Sequence, residues 1–224
     1  MNTDRESMSG APGAARRITR VARAALLGAL LAGSLAGCLP LAATGIVVGS
    51  MAAVDRRTLG AQTEDNSIEL KALGELRERL GGTSGLSVTS YNRTVLLTGQ
   101  ADDEAIKRRA GEIVSRVENV RTVHNELVVS PKASIGTSAA DTALTARVKT
   151  SLIDAKDIHA NAIKVVSESA VVYLMGIVTR EEGERAAQVA SRVSGARRVV
   201  TVFEYVTPDE LARIERVNRA AQQQ

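Results

Sequence analysis

Leu86-Ser-Val-Thr-Ser-Tyr-Asn-Arg-Thr-Val-Leu-Leu-Thr-Gly99 alternates, turns on polar residues, and then runs apolar to a glycine. That is the pattern of a half-buried strand, a tight turn and a more deeply buried strand. It returns as Ile163-Lys-Val-Val-Ser-Glu-Ser-Ala-Val-Val-Tyr-Leu-Met-Gly176. A hairpin recurring at a fixed offset marks an internal duplication, and the flanking residues repeat with it. Upstream, Asp65, Ile68, Ala72 and Leu76 keep helical spacing, as do Asp141, Leu144, Val148 and Leu152 about 76 positions on. Downstream, Ala110, Ile113, Val114 and Val117 of a second helix match Ala186, Val189, Ala190 and Val193. A last strand alternates Val123, Asn125, Leu127, Val129 against Val199, Thr201, Phe203, Tyr205.

Each copy therefore reads α-β-β-α-β. A hairpin followed by a right-handed crossover to a parallel strand gives a three-stranded mixed sheet with two helices on one face, an α+β layer. The predicted order is a first domain at 64–130, a linker at 131–140, a second domain at 141–207 and a C-terminal helix at 208–224. The linker, Pro131 to Ala140, predicts limited interdomain motion. Thr179-Arg-Glu-Glu182 reads as a capping box for the second helix of copy two. Gly99 and Gly176 read as strand ends where freedom from Cβ helps. Thr207-Pro-Asp-Glu210 opens the last helix, whose Leu211, Ile214 and Val217 suggest a cap on the second domain.

The stretches Val95-Leu-Leu-Thr-Gly99, Val172-Tyr-Leu-Met-Gly176 and Ser191-Arg-Val-Ser-Gly-Ala-Arg-Arg-Val199 resemble the glycine-centred signature of the BON domain. Two copies behind the amino terminus described next are similar to the dual-BON outer-membrane lipoproteins. These include the division- and outer-membrane-stress-associated lipid-binding protein family. The segment from Asp55-Arg-Arg-Thr58 to Asp65 resembles the stretch joining anchor to first domain in that group.

Residues 1–37 read as a secretory signal. Arg16, Arg17, Arg20 and Arg23 precede an apolar run from Ala24 to Ala36, too short to span a bilayer core of about 30 Å. The run ends in Leu35-Ala-Gly-Cys38, which resembles the lipobox of bacterial lipoproteins. The resemblance implies a diacylated Cys38 that becomes the mature amino terminus, with 38–63 as a lipidated tether. A free thiol, an intermolecular disulfide or a buried apolar cysteine are the other readings of this lone cysteine. Leu39 stands where an Asp often marks inner-membrane retention in that family, so the resemblance implies the periplasmic leaflet of the outer membrane. Leu39–Val54 is apolar but interrupted, suited to lying near a membrane surface or packing on the first domain.

Removing the signal also removes most of the charge. The chain carries +4, and residues 1–37 hold five arginines against Asp4 and Glu6, which leaves +1. With three Tyr, one Phe and no Trp, a nucleic-acid partner has neither field nor stacking platforms. His124 and His159 fall in different copies without ligand spacing, and Asp102-Asp103-Glu104 reads as a helix start. No catalytic residue, metal ligand, cofactor or small-molecule substrate is expected. The reading is a non-enzymatic binding protein.

Charge separates the copies: nine basic against eleven acidic residues in 64–130, nine against eight in 141–207. The second domain is thus the one suited to an anionic surface, where each basic residue adds about 1 kcal/mol. The family resemblance implies that its first helix, Asp141 to Lys156, faces phospholipid. Ala143, Leu144, Arg147, Lys149 and Ser151 would then touch lipid, with Arg147 and Lys149 on headgroups and Ala143 or Leu144 near the acyl boundary. Related proteins can carry a large aromatic where this chain has Ala143, which shifts weight onto charge. The bland alternative puts Leu144, Val148 and Leu152 in the core and the basic residues on a solvated face. A rival function is a periplasmic adaptor that binds an envelope-assembly protein or a cell-wall component through the acidic first domain, together with exposed sheet edges that could accept a strand.

Overall fold

The computed structural model describes residues 55–81, 85–130 and 138–221. All belong to one compact unit, Ser50–Gln224. Cys38, the signal segment, Leu39–Val54 and the linker residues 131–137 lie outside the described residues.

Helix α1 spans Leu59–Leu80. Thr58 accepts the Ala61 N–H on its hydroxyl, and Gly81 ends the helix in the left-handed region at φ 72°. The helix thus opens well before Asp65, and residues 59–63, read as tether, form its first turn. Asp65 is used sideways instead. Its carboxylate accepts the N–H groups of Asn92 and Arg93 (2.7 and 2.8 Å) and the Ser90 hydroxyl (2.7 Å). These bonds hold the turn between β1 (Leu86–Tyr91) and β2 (Thr94–Ala101). Asn92 and Arg93 both have positive φ, 48° and 67°, the two-residue geometry that matches strand twist. The second copy repeats the device. Asp141, on the first helix of that copy, accepts from Ser169 and Ala170 N–H (2.8 and 2.9 Å), whose φ values are 51° and 62°. A left-handed Ala costs roughly 1–2 kcal/mol, which the buried carboxylate offsets.

Helix α2 (Glu104–Ser115) starts on Asp103, which accepts the Ile106 N–H. The third strand of copy one comes in two pieces, β3 (Thr122–Asn125) and β4 (Val128–Val129). Both run parallel to β2 in one register. The break has a local cause: Asn125 Nδ2 donates to the Lys107 carbonyl and its Oδ1 takes the Leu127 N–H from the ladder.

Copy two runs α3 (Ser138–Asp154), a short 3-10 turn (Ala160–Ala162), β5 (Ile163–Glu168), β6 (Val171–Val178), α4 (Arg180–Ser191) and β7 (Arg198–Tyr205). β5 and β6 are antiparallel, and β6 and β7 are parallel and unbroken. Helix α5 (Pro208–Ala221) follows, with Thr207 and Glu210 closing a reciprocal capping box. The box expected at Thr179 is only half made: its hydroxyl accepts the Glu182 N–H, while the Glu182 carboxylate is engaged elsewhere.

Gly99 and Gly176 do not end their strands. Each lies inside a strand where the entering chain passes close behind. A Cβ on Gly99 would fall 1.8 Å from the Gly85 carbonyl oxygen, and one on Gly176 2.7 Å from that of Ala162. Gly99 also has φ 103°.

In each copy the two helices cover one sheet face. Ile68, Ala72 and Leu76 meet Val95, Leu97 and Val114 in the first core, and Leu144, Val148 and Leu152 meet Val172, Leu174 and Ala190 in the second. The other sheet faces share a third core: Tyr91 and Leu96 of copy one, Tyr173, Met175, Ile177 and Val202 of copy two, with Ile214 of α5 packed alongside. Leu96 and Met175 are fully buried, each worth about 1.5–3 kcal/mol. This common core opposes the interdomain motion expected from the linker.

Candidate lipid-contact site

Asp55-Arg56-Arg57-Thr58 enters the junction of the two copies as a clasp. Arg56 is 2 % exposed. Its guanidinium donates from Nη1 to Glu182 Oε2 (2.6 Å) and to the Ile177 carbonyl (2.8 Å), and from Nη2 to Glu182 Oε1 (3.2 Å). Asn218 of α5 donates to the Arg56 carbonyl, and Glu215 lies 3.4 Å from its Nε. Burial pushes the Glu182 carboxyl up, but Arg56 outweighs it and holds that group below the ordinary glutamate range. Arg57 turns the other way. It pairs with Asp55 (2.7 Å) and Asp65 (2.8 Å) and stacks 4.1 Å above the Tyr91 ring. Burial works against its charge, yet the two carboxylates raise its pKa further. Asp65 is held low although burial opposes it, by the Arg93 N–H, the Ser90 hydroxyl, Arg57 and the Asn92 N–H.

The two copies are cross-linked at their edges as well. Tyr91 Oη donates to the Ala162 carbonyl at 3.0 Å, and burial raises the phenol pKa. Lys164 donates to Glu69 and to the Ser90 carbonyl; Arg121 and Asn92 both donate to Glu204. Arg198 reaches Glu126 at 3.4 Å.

The five residues expected on lipid separate on α3. Ala143 and Arg147 are exposed one turn apart on one side. Lys149 is exposed, but two positions from Arg147 is about 200° round a helix, so the two do not form one patch. Lys149 instead lines a crevice of about 250 Å³ with Asp55, Arg57, Tyr91, Ile153 and Lys164. Leu144 is 2 % exposed and belongs to the second core, which removes it from the acyl boundary. Ser151 is half-buried. A cavity of about 380 Å³ lies over the clasp, lined by Arg56, Asp157, His159, Glu181, Glu182 and Arg185. His159 Nδ1 is 3.3 Å from Glu182 Oε1, and His124 sits half-buried on β3. No group of three or more His, Cys, Asp or Glu able to hold a metal occurs among the described residues.

Sequence reasoning missed Arg56 and the sideways use of Asp65 and Asp141. The second had a signal: an Asp in the same place in both copies, opposite hairpin turns that lack glycine. The first had little, since adjacent arginines ahead of a helix read as solvated.

A duplicated α-β-β-α-β layer, with a carboxylate tying each hairpin turn, defines a tandem-repeat α+β protein. The chain belongs to the BON family, whose domain matches residues 64–131 and 140–207. It is 36% identical over 185 residues to the outer membrane lipoprotein DolP of Haemophilus influenzae, covering 82% of this chain and 95% of that one. It is 30% identical to a 21 kDa hemolysin of Actinobacillus pleuropneumoniae over 68% of this chain and 80% of the other. The osmotically-inducible protein Y of Escherichia coli is 27% identical over 146 residues, covering 63% of this chain and 72% of its own. No helix among the described residues is long and apolar enough to cross a membrane.

Proposed function

We propose that this protein is a non-enzymatic lipoprotein, held by acylated Cys38 on the periplasmic leaflet of the outer membrane. Its second BON domain binds anionic phospholipid, and the protein supports envelope integrity. The observation that carries the reading is the exposed side of α3, where Ala143 and Arg147 stand free of the core on the more basic copy. Likeness to an outer membrane lipoprotein over most of both chains supports the anchor and the compartment. Acyl chains hold the protein to the membrane, and weak charge contacts select its position there. Mass spectrometry of the mature amino terminus tests the anchor: a diacylated or triacylated cysteine is expected, and an unmodified thiol behind an intact Met1 refutes it. Flotation of residues 50–224 with vesicles tests the lipid: binding is expected to rise with anionic lipid and to weaken in Arg147→Glu. The adaptor reading draws on Val128 and Val129, exposed on the outer edge of the first sheet. Flotation indifferent to lipid charge favours it.

A further inference from the structure

The two copies differ at one end in a way that their shared fold makes exact to compare. In copy one, Lys71 of α1 pairs with Glu118 (2.9 Å) on the turn between α2 and β3. Asn119, in the same turn, donates to Glu64, and Arg121 pairs with Glu204 (2.6 Å). Every one of these cations or donors thus has a carboxylate. In copy two the corresponding positions, about 76 residues on, are Arg147, Ser194, Gly195, Ala140 and Arg197. Glu64 and Glu118 have no acidic counterpart there, and Glu204, itself on β7 of copy two, reaches across to Arg121 and forms no pair with Arg197, while the cations remain. Arg147 Nε donates only to the Ser194 carbonyl (3.3 Å), and Arg197 Nη2 to the Ser169 carbonyl (2.9 Å). Arg192, two positions before Ser194, is exposed. None of Arg147, Arg192 and Arg197 enters an ion pair among the described residues.

Local geometry brings Arg147 and Arg197 to this end. The Arg197 N–H donates to the Ala170 carbonyl, which sets the α4–β7 turn beside the β5–β6 hairpin tip. Gly195, at φ 99°, leaves room for Arg147: a Cβ there would lie 3.0 Å from its Nη2. The carboxylates at this end do not cancel the field. Asp141 is buried on the hairpin N–H groups, and Glu168 is half-buried with its pKa raised by burial and then by Asp141. Exposed Ala143 adjoins Arg147 one turn earlier.

We infer that Arg192 and Arg197 join Arg147 to make this end of the second domain an anion-docking surface for the headgroups of an anionic bilayer. The inference rests on the lipid reading above and adds to it the α4–β7 turn and the orientation: the hairpin tip and Ser194–Gly195 point at the membrane. A guanidinium offers several N–H donors in a planar fork that suits phosphate oxygens. Three such groups around one turn suit an array of headgroups, where the field sums.

The test is flotation of residues 50–224, a compact unit with all three cores, on phosphatidylcholine vesicles with and without about a third phosphatidylglycerol. Wild type is expected to bind the anionic vesicles and to release in high salt. Arg192→Ser with Arg197→Ser is expected to weaken that binding about 25-fold, from roughly fivefold per arginine near a charged surface. Arg116→Ser with Arg121→Ser, the same positions in copy one, is expected to change it less than twofold; matching thermal melting shows that each variant is folded. If wild type binds anionic vesicles and the Arg192, Arg197 variant binds as well, the docking surface is refuted while the lipid reading stands. If wild type ignores lipid charge, both fall.

Discussion

Arg56 is a residue whose removal the structure converts into a definite loss. Its guanidinium is sealed between Glu182, the Ile177 carbonyl and α5, and Glu182 itself is 8 % exposed. Arg56→Ala leaves a buried carboxylate with only the His159 N–H, at 3.1 Å, and the exposed imidazole for company. Stripping one partner from such a pair costs about 3–5 kcal/mol. For a unit of this size each kcal/mol moves the midpoint roughly 2–4 °C, so the melting temperature of residues 50–224 should fall by roughly 6–20 °C. Circular dichroism melts measure it. Glu182→Gln alone should cost less, because a neutral amide still accepts from Arg56. The double change Arg56→Leu with Glu182→Leu should cost well under the sum, since no charge is left unpaired.

The sign with pH is fixed by the same pair. Arg56 holds the Glu182 carboxyl below its unfolded value, so this stabilisation is present above the ordinary glutamate pKa, about 4.3, and is lost as pH falls through the folded value. In Arg56→Ala only His159 still opposes the burial of Glu182, and the pKa of that carboxyl rises. The gap between wild type and variant should therefore narrow on acidification from pH 7 toward pH 4. A melt within about 2 °C of wild type at pH 7, or a gap that widens in acid, refutes the clasp. A fragment starting at residue 64 lacks Arg56 and Arg57 and should lose at least as much stability as Arg56→Ala.

Asp65→Asn and Asp141→Asn each weaken acceptance from two turn N–H groups and should cost about 1–3 kcal/mol by urea melts; a loss below about 0.5 kcal/mol would count against the sideways role. Because the Asp65 carboxyl is held low, its contribution is present above the unfolded aspartate pKa and fades as pH falls through the folded one. Gly99→Ala should prevent folding or cost more than about 3 kcal/mol, since its Cβ would meet the Gly85 carbonyl at 1.8 Å. Gly74→Ala, on α1 with nothing within 4 Å, should stabilise by up to about 1 kcal/mol. Leu144→Ala should cost about 2–5 kcal/mol of stability yet leave vesicle binding of the folded fraction unchanged. Ala143→Trp should leave stability alone and tighten binding to anionic vesicles roughly tenfold.

The fold was legible because its signal is local and doubled. The alternation in Leu86–Gly99 and the stripe Ile68, Ala72, Leu76 each fix an element, and repetition at 163–176 and 144–152 removes the ambiguity that short apolar runs carry. What stayed hidden is what depends on contacts between distant residues. Asp65 looks like a helix opener until the hairpin turn, some 27 positions away, is seen to hang from it. Leu96 and Tyr173 sit on strand faces that a two-layer domain leaves to solvent, and only docking of the two copies buries them. The site was blurred for a related reason. Period 3.6 separates Arg147 from Lys149, but which side of α3 is free depends on the clasp at Asp55–Arg57, and that segment carries no hydrophobic pattern to announce its burial. The arginines at 192 and 197 were visible as letters. The proposed surface takes shape only when copy one shows Glu118 and Glu64 where copy two has Ser194 and Ala140, so the duplication frames that proposal as well as the fold.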